Sequence, residues 1–167
     1  MLLDLGPILH QPGGVVPFDL ELDFSDMEFG GSCPASEPVR ASGQVRNEAG
    51  VLLLTGVLDT TLHCVCDRCA QPFDRVFHQT VEAILASELA HETSEDDWTF
   101  LLKGGCVDLD EVLNTAFVLN MDSKFLCSED CKGLCAACGK NLNDGPCDCK
   151  PEADPRWAAL RQLLEDK

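Results

Sequence analysis

Cysteine is the residue type in this chain whose number and spacing indicate chemistry. The 167 residues include eleven cysteines, and six of these lie between positions 127 and 149. Two or three intervening residues allow two sulfur atoms to converge on one metal ion. A disulfide scaffold is disfavoured by the odd number of cysteines and by their clustering. The spacing therefore indicates a metal site.

The pair formed by Cys135 and Cys138 is the strongest candidate for metal binding. Gly139 follows this C-x-x-C pair and can take the positive φ angle that turns the backbone around an ion. The turn-rich stretch 141–146 can then fold the chain back toward the pair. We predict a structural zinc site with four thiolate ligands, namely Cys135, Cys138, Cys147 and Cys149. Such a complete shell leaves no position for water or substrate.

Other interpretations of the same cysteines stay open. Cys127 and Cys131 compete for the four places, because their C-x3-C spacing would stack two thiols on adjacent helical turns. The six thiols could also be free of metal. A metal-dependent enzyme with three sulfurs and one lighter ligand is a further alternative. A redox-regulated thiol protein would use Cys66 with Cys69, or Cys135 with Cys138.

A second group of cysteines lies at positions 64, 66 and 69. Cys64 and Cys66 share the strand parity of Leu58 and Leu62, so both are expected to point toward the core. Cys66 and Cys69 form a C-x-x-C pair at a predicted turn. Because no companion pair is adjacent in the sequence, we interpret this pair as an unmetalled turn, with a second metal half-site or a redox pair as alternatives.

Alternating apolar and polar residues predict the strands that must position these cysteines. This alternation covers residues 18–24, 39–45, 52–66 and 73–85, with turns predicted at 47–50 and 67–72. The connections are too short for parallel crossovers, so we predict an antiparallel meander. Residues 86–105 are expected to form an acidic loop with a short strand at 98–102.

Two helices are expected around the cysteines. Asp108 and Glu111 form a capping-box pattern before an amphipathic helix at about 109–120. A second helix is predicted to begin at Asp154-Pro155 and to carry Trp157, Leu160 and Leu164 on one side. The fold class is thus α+β, an antiparallel sheet with one or two packing helices and a small zinc-binding module. We predict a sheet domain at 1–121 and a cysteine-rich module with the C-terminal helix at 122–167.

Charge constrains the partners of the protein. The chain has 29 acidic and 12 basic residues, for a formal net charge of -17. Extensive RNA binding requires many lysines and arginines that neutralise phosphates, so contact through protein partners is favoured. The bases that could make a modest phosphate-contacting patch are Lys132, Lys140, Lys150, Arg156 and Arg161. No stretch approaches the roughly 20 apolar residues of a membrane span, and a cytoplasmic location is expected.

Several short motifs follow one another along the chain in a recognisable order. They are Cys66-Asp67-Arg68-Cys69 with Pro72-Phe73, Val107-Asp108-Leu109-Asp110-Glu111, Cys127, Gly133-Leu134-Cys135, Cys138-Gly139, Asn141-Leu142-Asn143, Cys147-x-Cys149 and Asp154-Pro155-Arg156. Together these motifs resemble the YceD-like family, the large ribosomal RNA subunit accumulation proteins of bacteria and plastids. The resemblance extends from about residue 18 to residue 165.

This resemblance implies a role in accumulation or processing of large-subunit ribosomal RNA, and hence in ribosome biogenesis. It implies no enzymatic activity, and the sequence shows no catalytic constellation or small-molecule substrate site. We therefore expect a non-enzymatic factor with structural zinc, whose partners are ribosomal RNA or ribosomal and processing proteins.

Overall fold

A five-stranded sheet forms the centre of the fold. The computed structural model describes residues 1–86 and 98–149. The sheet has the order β2-β3-β4-β5-β6. Its strands are β2 (Val15–Leu22), β3 (Val39–Glu48), β4 (Val51–Val65), β5 (Pro72–Ala86) and β6 (Thr99–Leu101). These bounds confirm the four strands that alternation predicted.

Alternating apolar side chains hold one face of the sheet against the core. Leu54 pairs with Val45 on one side and with Ala83 on the other, and all three are buried. The turn between β3 and β4 consists of Ala49 and Gly50, which both have positive φ angles. Two such residues give a hairpin turn whose twist matches that of the strands. The turn predicted at 47–50 is therefore confirmed.

The sheet is not entirely antiparallel. Strands β2 to β5 form the predicted meander, but β6 pairs in parallel with β5. The prediction of an antiparallel sheet was wrong at this point. Residues 87–98 separate the two strands, and about a dozen residues are enough for a parallel crossover. The short strand predicted at 98–102 is present as β6.

The predicted amphipathic helix is α2 (Leu109–Leu119), which covers the sheet. The Asp108 side chain caps it by accepting a hydrogen bond from the backbone N–H of Asp110. Phe117 is fully buried, and its ring contacts three other rings of the core. Those rings belong to Phe24, Phe29 and Phe77. This packing fixes the point from which the chain leaves toward the cysteine-rich segment.

Three small elements were not predicted. Strand β1 (Leu2–Asp4) pairs with β7 (Cys106–Asp108), and the short helix α1 (Gly6–Leu9) follows β1. Buried Asn47 donates hydrogen bonds to the carbonyls of Ile8 and Leu9, which attaches α1 to the sheet. Three-residue strands carry too little alternation to be recognised in a sequence.

The second predicted helix, beginning at Asp154-Pro155, lies outside the described residues. The division into 1–121 and 122–167 stays a prediction. Among residues 1–86 and 98–149, no helix has the length and hydropathy needed to span a membrane.

Candidate metal centres

The turn between β4 and β5 has the hydrogen-bonding pattern of a cysteine knuckle. The backbone N–H of Ala70 donates to the carbonyl of Cys66 at 2.8 Å, and the N–H of Cys66 donates to the carbonyl of Gln71 at 2.9 Å. Ala70 has a φ of 55°, in the left-handed region of the backbone map. These contacts bring the Cys66 and Cys69 side chains to the same side of the turn.

The turn at Cys135 and Cys138 repeats this pattern of hydrogen bonds. The N–H of Gly139 donates to the carbonyl of Cys135 at 2.8 Å, and the N–H of Cys135 donates to the carbonyl of Lys140 at 2.8 Å. Gly139 has a φ of 71°, in the same region as Ala70. The chain therefore contains two knuckles of one backbone design.

Each knuckle is completed by a second pair of cysteines. The hairpin cluster consists of Cys66, Cys69, Cys127 and Cys131. The C-terminal cluster consists of Cys135, Cys138, Cys147 and Cys149. In each cluster all four sulfur atoms lie within 4.8 Å of one another, so both could hold a metal ion. Three of the four hairpin-cluster cysteines are buried, whereas the C-terminal cluster is half-buried to exposed.

Hydrogen bonds from the backbone lower the pKa of one thiol in each cluster. Burial opposes ionisation of Cys66, but the N–H groups of Cys127, Cys69 and Arg68 outweigh it and lower the pKa of Cys66 to about 6. The N–H groups of Cys138 and Ala137 lower the pKa of Cys135 to about 6. Hydrogen bonds to sulfur favour the charged form that metals require.

Another thiol in each cluster resists a second negative charge. Interaction with Cys131, and then with Cys69, raises the pKa of Cys127 to about 12. Interaction with Cys138 similarly raises the pKa of Cys149 to about 12. Crowded thiols cannot all ionise unless a cation offsets their charge. Each cluster thus has the electrostatic character of a cation site.

The structure places the predicted ligands Cys135, Cys138, Cys147 and Cys149 in one cluster, while their binding of zinc stays a prediction. No pair of cysteines is adjacent to Cys66 and Cys69 in the sequence, but in the structure Cys127 and Cys131 lie beside them. The interpretation of Cys66 and Cys69 as an unmetalled turn stays a prediction. The predicted stacking of Cys127 and Cys131 on helical turns was wrong, since residues 127–131 form no helix. Cys64 is buried in the core as predicted.

Asp67 and Arg68 attach the segment after α2 to the hairpin turn. Asp67 exchanges two hydrogen bonds of 2.8 Å with the backbone of Phe125, donating through its N–H and accepting through Oδ2. The Arg68 guanidinium donates to the carbonyl of Cys131 at 3.1 Å. The Arg68 carbonyl accepts the N–H of Leu134 at 3.0 Å. In the sequence, Asp67 and Arg68 were noted only as part of the Cys66-Asp67-Arg68-Cys69 motif, and their contacts with the later segment were not predicted.

Asn143 was also missed as a site residue. Its Nδ2 donates to the sulfur of Cys131 at 3.3 Å, and its Oδ1 accepts the N–H of Lys132 at 2.8 Å. Asn143 itself lies in the loop between Cys138 and Cys147. A residue of the C-terminal cluster's loop therefore contacts a ligand of the hairpin cluster. The turn-rich composition of 141–146 was the available signal, but it did not indicate that Asn143 contacts Cys131.

Comparisons with known proteins relate this arrangement to a family. Residues 54–164 match the family described as large ribosomal RNA subunit accumulation protein YceD. The matched range includes the hairpin and every cysteine of both clusters. No solved structure matches the chain.

Curated relatives occur in bacteria and plants. An uncharacterized protein of Mycobacterium leprae is 23% identical over 98% of this chain and 77% of its own length. An uncharacterized protein of Mycobacterium tuberculosis is 29% identical over 68% of this chain and 56% of its own. The chloroplastic YCED homolog 1 of Zea mays, named a large ribosomal RNA subunit accumulation protein, is 26% identical over 89% of this chain.

The chain spans 61% of that maize relative and 56% of the Mycobacterium tuberculosis one. The family match nevertheless covers more than half of the chain, from near the start of β4 to beyond the second knuckle. The chain belongs to the YceD family of large ribosomal RNA subunit accumulation proteins.

Proposed function

We propose that this protein is a non-enzymatic factor that supports the accumulation or processing of large-subunit ribosomal RNA during ribosome biogenesis. The observation that carries the proposal is the family match over residues 54–164. The relatives from Zea mays and Arabidopsis thaliana are named for this role. A cytoplasmic location, alongside assembling ribosomes, forms part of the same proposal.

The C-terminal cluster is proposed to bind a structural zinc ion. Its four sulfurs lie within 4.8 Å of one another, and the backbone amides at Cys135 favour a thiolate there. Four thiolates complete a tetrahedral zinc shell and leave no position for a reacting water. This closed ligand set supports a structural role and a factor without catalysis.

The acidic surface is proposed to contact a basic ribosomal or processing protein. Five carboxylates follow one another along β2 and the segment after it, and all five are exposed. They belong to Asp19, Glu21, Asp23, Asp26 and Glu28. Such a surface repels phosphates but attracts basic segments of a protein. Of the bases considered for RNA contact, Lys132 and Lys140 are exposed, and the other three lie outside the described residues.

Depletion of the protein in its own host tests the proposed role. We expect the ratio of large-subunit to small-subunit ribosomal RNA to fall and to recover when the wild-type chain is supplied. The Cys138→Ser variant should restore the ratio poorly if its protein level falls with the loss of zinc. The matched Cys33→Ser variant, altered at an exposed cysteine outside both clusters, should restore it fully. An unchanged ratio on depletion would contradict the proposal.

The nature of the contact is tested with purified precursor particles of the large subunit. Binding through protein should survive Lys132→Glu with Lys140→Glu and should weaken when Asp23 and Asp26 become lysines. Binding through RNA would show the opposite dependence, because phosphate contacts require the bases. The charge reversals lie on exposed side chains and are expected to leave the fold intact.

The redox alternative has one observation in its favour. The Cys135 pKa of about 6 gives the thiolate needed for reaction, and its neighbour Cys138 is exposed. If this pair acts by redox chemistry, it should be oxidised reversibly in cells, and the protein should be isolated without metal. Isolation with bound zinc and unreactive thiols would exclude this alternative.

A further inference from the structure

We propose that the hairpin cluster, formed by Cys66, Cys69, Cys127 and Cys131, is a second zinc site that fastens the segment after α2 to the end of the β4–β5 hairpin. We further infer that Asn143 is a positioning residue, linking this site to the C-terminal cluster. The hairpin site stands on its own geometry. Only the link rests on the zinc proposed above for the C-terminal cluster.

The separations between sulfur atoms suit zinc. Cys66 Sγ lies 3.8 Å from Cys131 Sγ, and Cys69 Sγ lies 3.6 Å from Cys127 Sγ. Four sulfurs at the zinc–sulfur distance of about 2.3 Å form a tetrahedron whose edges measure about 3.8 Å. Disulfide bonds require sulfurs about 2.05 Å apart. The cluster therefore has the dimensions of a tetrathiolate site.

The surroundings of the cluster are suited to a buried metal centre. Cys66 and Cys69 are each 1% exposed, and Cys131 is 4% exposed. Four thiolates and one zinc ion carry a net charge of about -2, which needs donors around the sulfurs. Backbone N–H groups of the knuckle supply donors, and the Arg68 guanidinium binds the adjacent Cys131 carbonyl.

The chain that would be fastened has little regular structure of its own. Between α2 and Cys131 it forms no helix or strand, yet Phe125 is only 5% exposed. Its polar contacts with the hairpin include the Asp67–Phe125 hydrogen bonds, the hydrogen bonds from the Arg68 guanidinium, and an ion pair between Arg75 and Asp122. Ordering such a segment costs conformational entropy. A metal bound by Cys69 and Cys127, which are 58 positions apart, would offset that cost by closing a long loop.

Asn143 connects this site to the C-terminal cluster. Only three residues separate Cys131 of one cluster from Cys135 of the other. Across this link the Asn143 Nδ2 donates to Cys131 Sγ, while Asn141 Oδ1 accepts from both the N–H and the Nδ2 of Asn143. Zinc in the C-terminal cluster would hold the loop that carries both asparagines. Holding this loop would keep the Asn143 Nδ2 in position to donate to Cys131 Sγ at the hairpin site.

Metal analysis of the purified full chain tests the second site. The chain is purified under reducing conditions without added metal, and zinc per chain is measured with X-ray absorption. We expect two zinc ions, each with four sulfur ligands. Cys69→Ser and Cys138→Ser should each retain one zinc ion, and the Cys33→Ser control should retain two.

The outcomes separate this proposal from the preceding one. One zinc ion that is lost in Cys138→Ser and kept in Cys69→Ser would overturn the hairpin site while leaving the C-terminal site intact. One zinc ion that is lost in Cys69→Ser and kept in Cys138→Ser would support the hairpin site and overturn the C-terminal site. Iron in place of zinc would overturn the assignment of the metal. A protein without metal would overturn both sites, whereas the ribosomal RNA role is tested by depletion.

Cobalt titration of the unaltered chain provides a test that needs no cysteine variant. Cobalt(II) adopts tetrahedral thiolate sites, and its absorption reports coordination by sulfur. Absorption in the metal-free wild-type chain should rise until two equivalents have been added. Saturation at one equivalent would overturn the second site even if the Cys69→Ser variant fails to fold.

The role of Asn143 is tested by Asn143→Asp. A carboxylate can still accept the Lys132 N–H but cannot donate to Cys131 Sγ. We expect zinc affinity at the hairpin site, measured by competition with a chelator, to fall by about 10–100-fold. Asn141→Asp is the matched control, because it adds the same charge in the same loop and keeps both of its acceptor roles. Equal affinities in the two variants would overturn the positioning role.

Discussion

Gly133 lies at the contact between the hairpin turn and the cysteine-rich segment, and it has a φ of 73°. A Cβ atom at this position would lie 2.9 Å from the carbonyl oxygen of Arg68. The neighbouring Leu134 N–H donates to that same oxygen at 3.0 Å. A side chain here would therefore push on a backbone atom that has no freedom to rotate away. We predict that Gly133→Ala separates the segment from the hairpin.

The magnitude follows from two costs. An L-residue in the left-handed region loses about 1–2 kcal/mol relative to glycine. Relief of the 2.9 Å contact should weaken the hydrogen bond from Leu134 to Arg68, whose net contribution is about 0.5–1.5 kcal/mol. Together these costs predict a loss of about 1.5–3.5 kcal/mol in the free energy of unfolding.

Gly139→Ala is the matched control. Gly139 has a φ of 71°, and a Cβ atom there would meet nothing within 4 Å. The first knuckle already has alanine at the equivalent position, since Ala70 follows Cys69 there with a positive φ. This control should therefore show only the conformational cost of about 1–2 kcal/mol.

Urea unfolding followed by circular dichroism, with equal zinc loading of all samples, measures the difference between the two variants. We expect Gly133→Ala to be less stable than Gly139→Ala by about 1 kcal/mol and to release zinc from the hairpin cluster faster. Equal stabilities and equal release rates would refute the close packing of Gly133 against Arg68.

Three further predictions concern backbone strain, the core and a surface histidine. Ala70→Gly should raise the free energy of unfolding by up to about 1 kcal/mol, as should Ala49→Gly, because both alanines have positive φ angles. Phe117→Ala should lower it by about 3–5 kcal/mol, because this ring is fully buried against three others. The hydrogen bond with Asp74 raises the pKa of His63 above 6.5, so the pair should stabilise the fold below pH 6.5 and lose that effect as the pH rises through the raised pKa.

Thermal unfolding checks Ala70→Gly, Ala49→Gly and Phe117→Ala. Proton NMR titration measures the pKa of His63. Replacement of Asp74 by asparagine should move the His63 pKa back toward its ordinary value. A His63 pKa that does not respond to this change would contradict the assigned pairing. A destabilised Ala70→Gly variant would contradict the strain at that turn, and a small effect of Phe117→Ala would contradict its central place in the core.

Local sequence determined most of the sheet. The residues of β4 and β5 alternate over long runs, and a half-buried strand is the structure in which period-two alternation buries one face. The cap at Asp108 and the apolar spacing after it likewise located α2. The left-handed position after Cys138 could be read from Gly139. The equivalent position at Ala70 could not, because alanine rarely adopts that conformation.

The parallel pairing of β6 depended on the tertiary fold. The sequence of a three-residue strand does not indicate which strand it pairs with. The connection between β5 and β6 is long enough for a parallel crossover, but its length does not require one. The same limit applied to β1 and β7, whose pairing joins the two ends of a long stretch of chain. Pairing between distant strands is decided by the core that they cover.

For the cysteines, sequence alone determined that Cys135 and Cys138 form a knuckle and indicated Cys147 and Cys149 as its companions, because these residues are close along the chain. Only the tertiary structure decided where Cys127 and Cys131 belong. They are nearer in sequence to Cys135, yet the packing of α2 on the sheet and the contacts of Asp67 and Arg68 bring them to the hairpin. The spacing of cysteines in the sequence predicts which sulfurs a short loop can bring together. A cluster whose members are 58 positions apart depends on the whole fold.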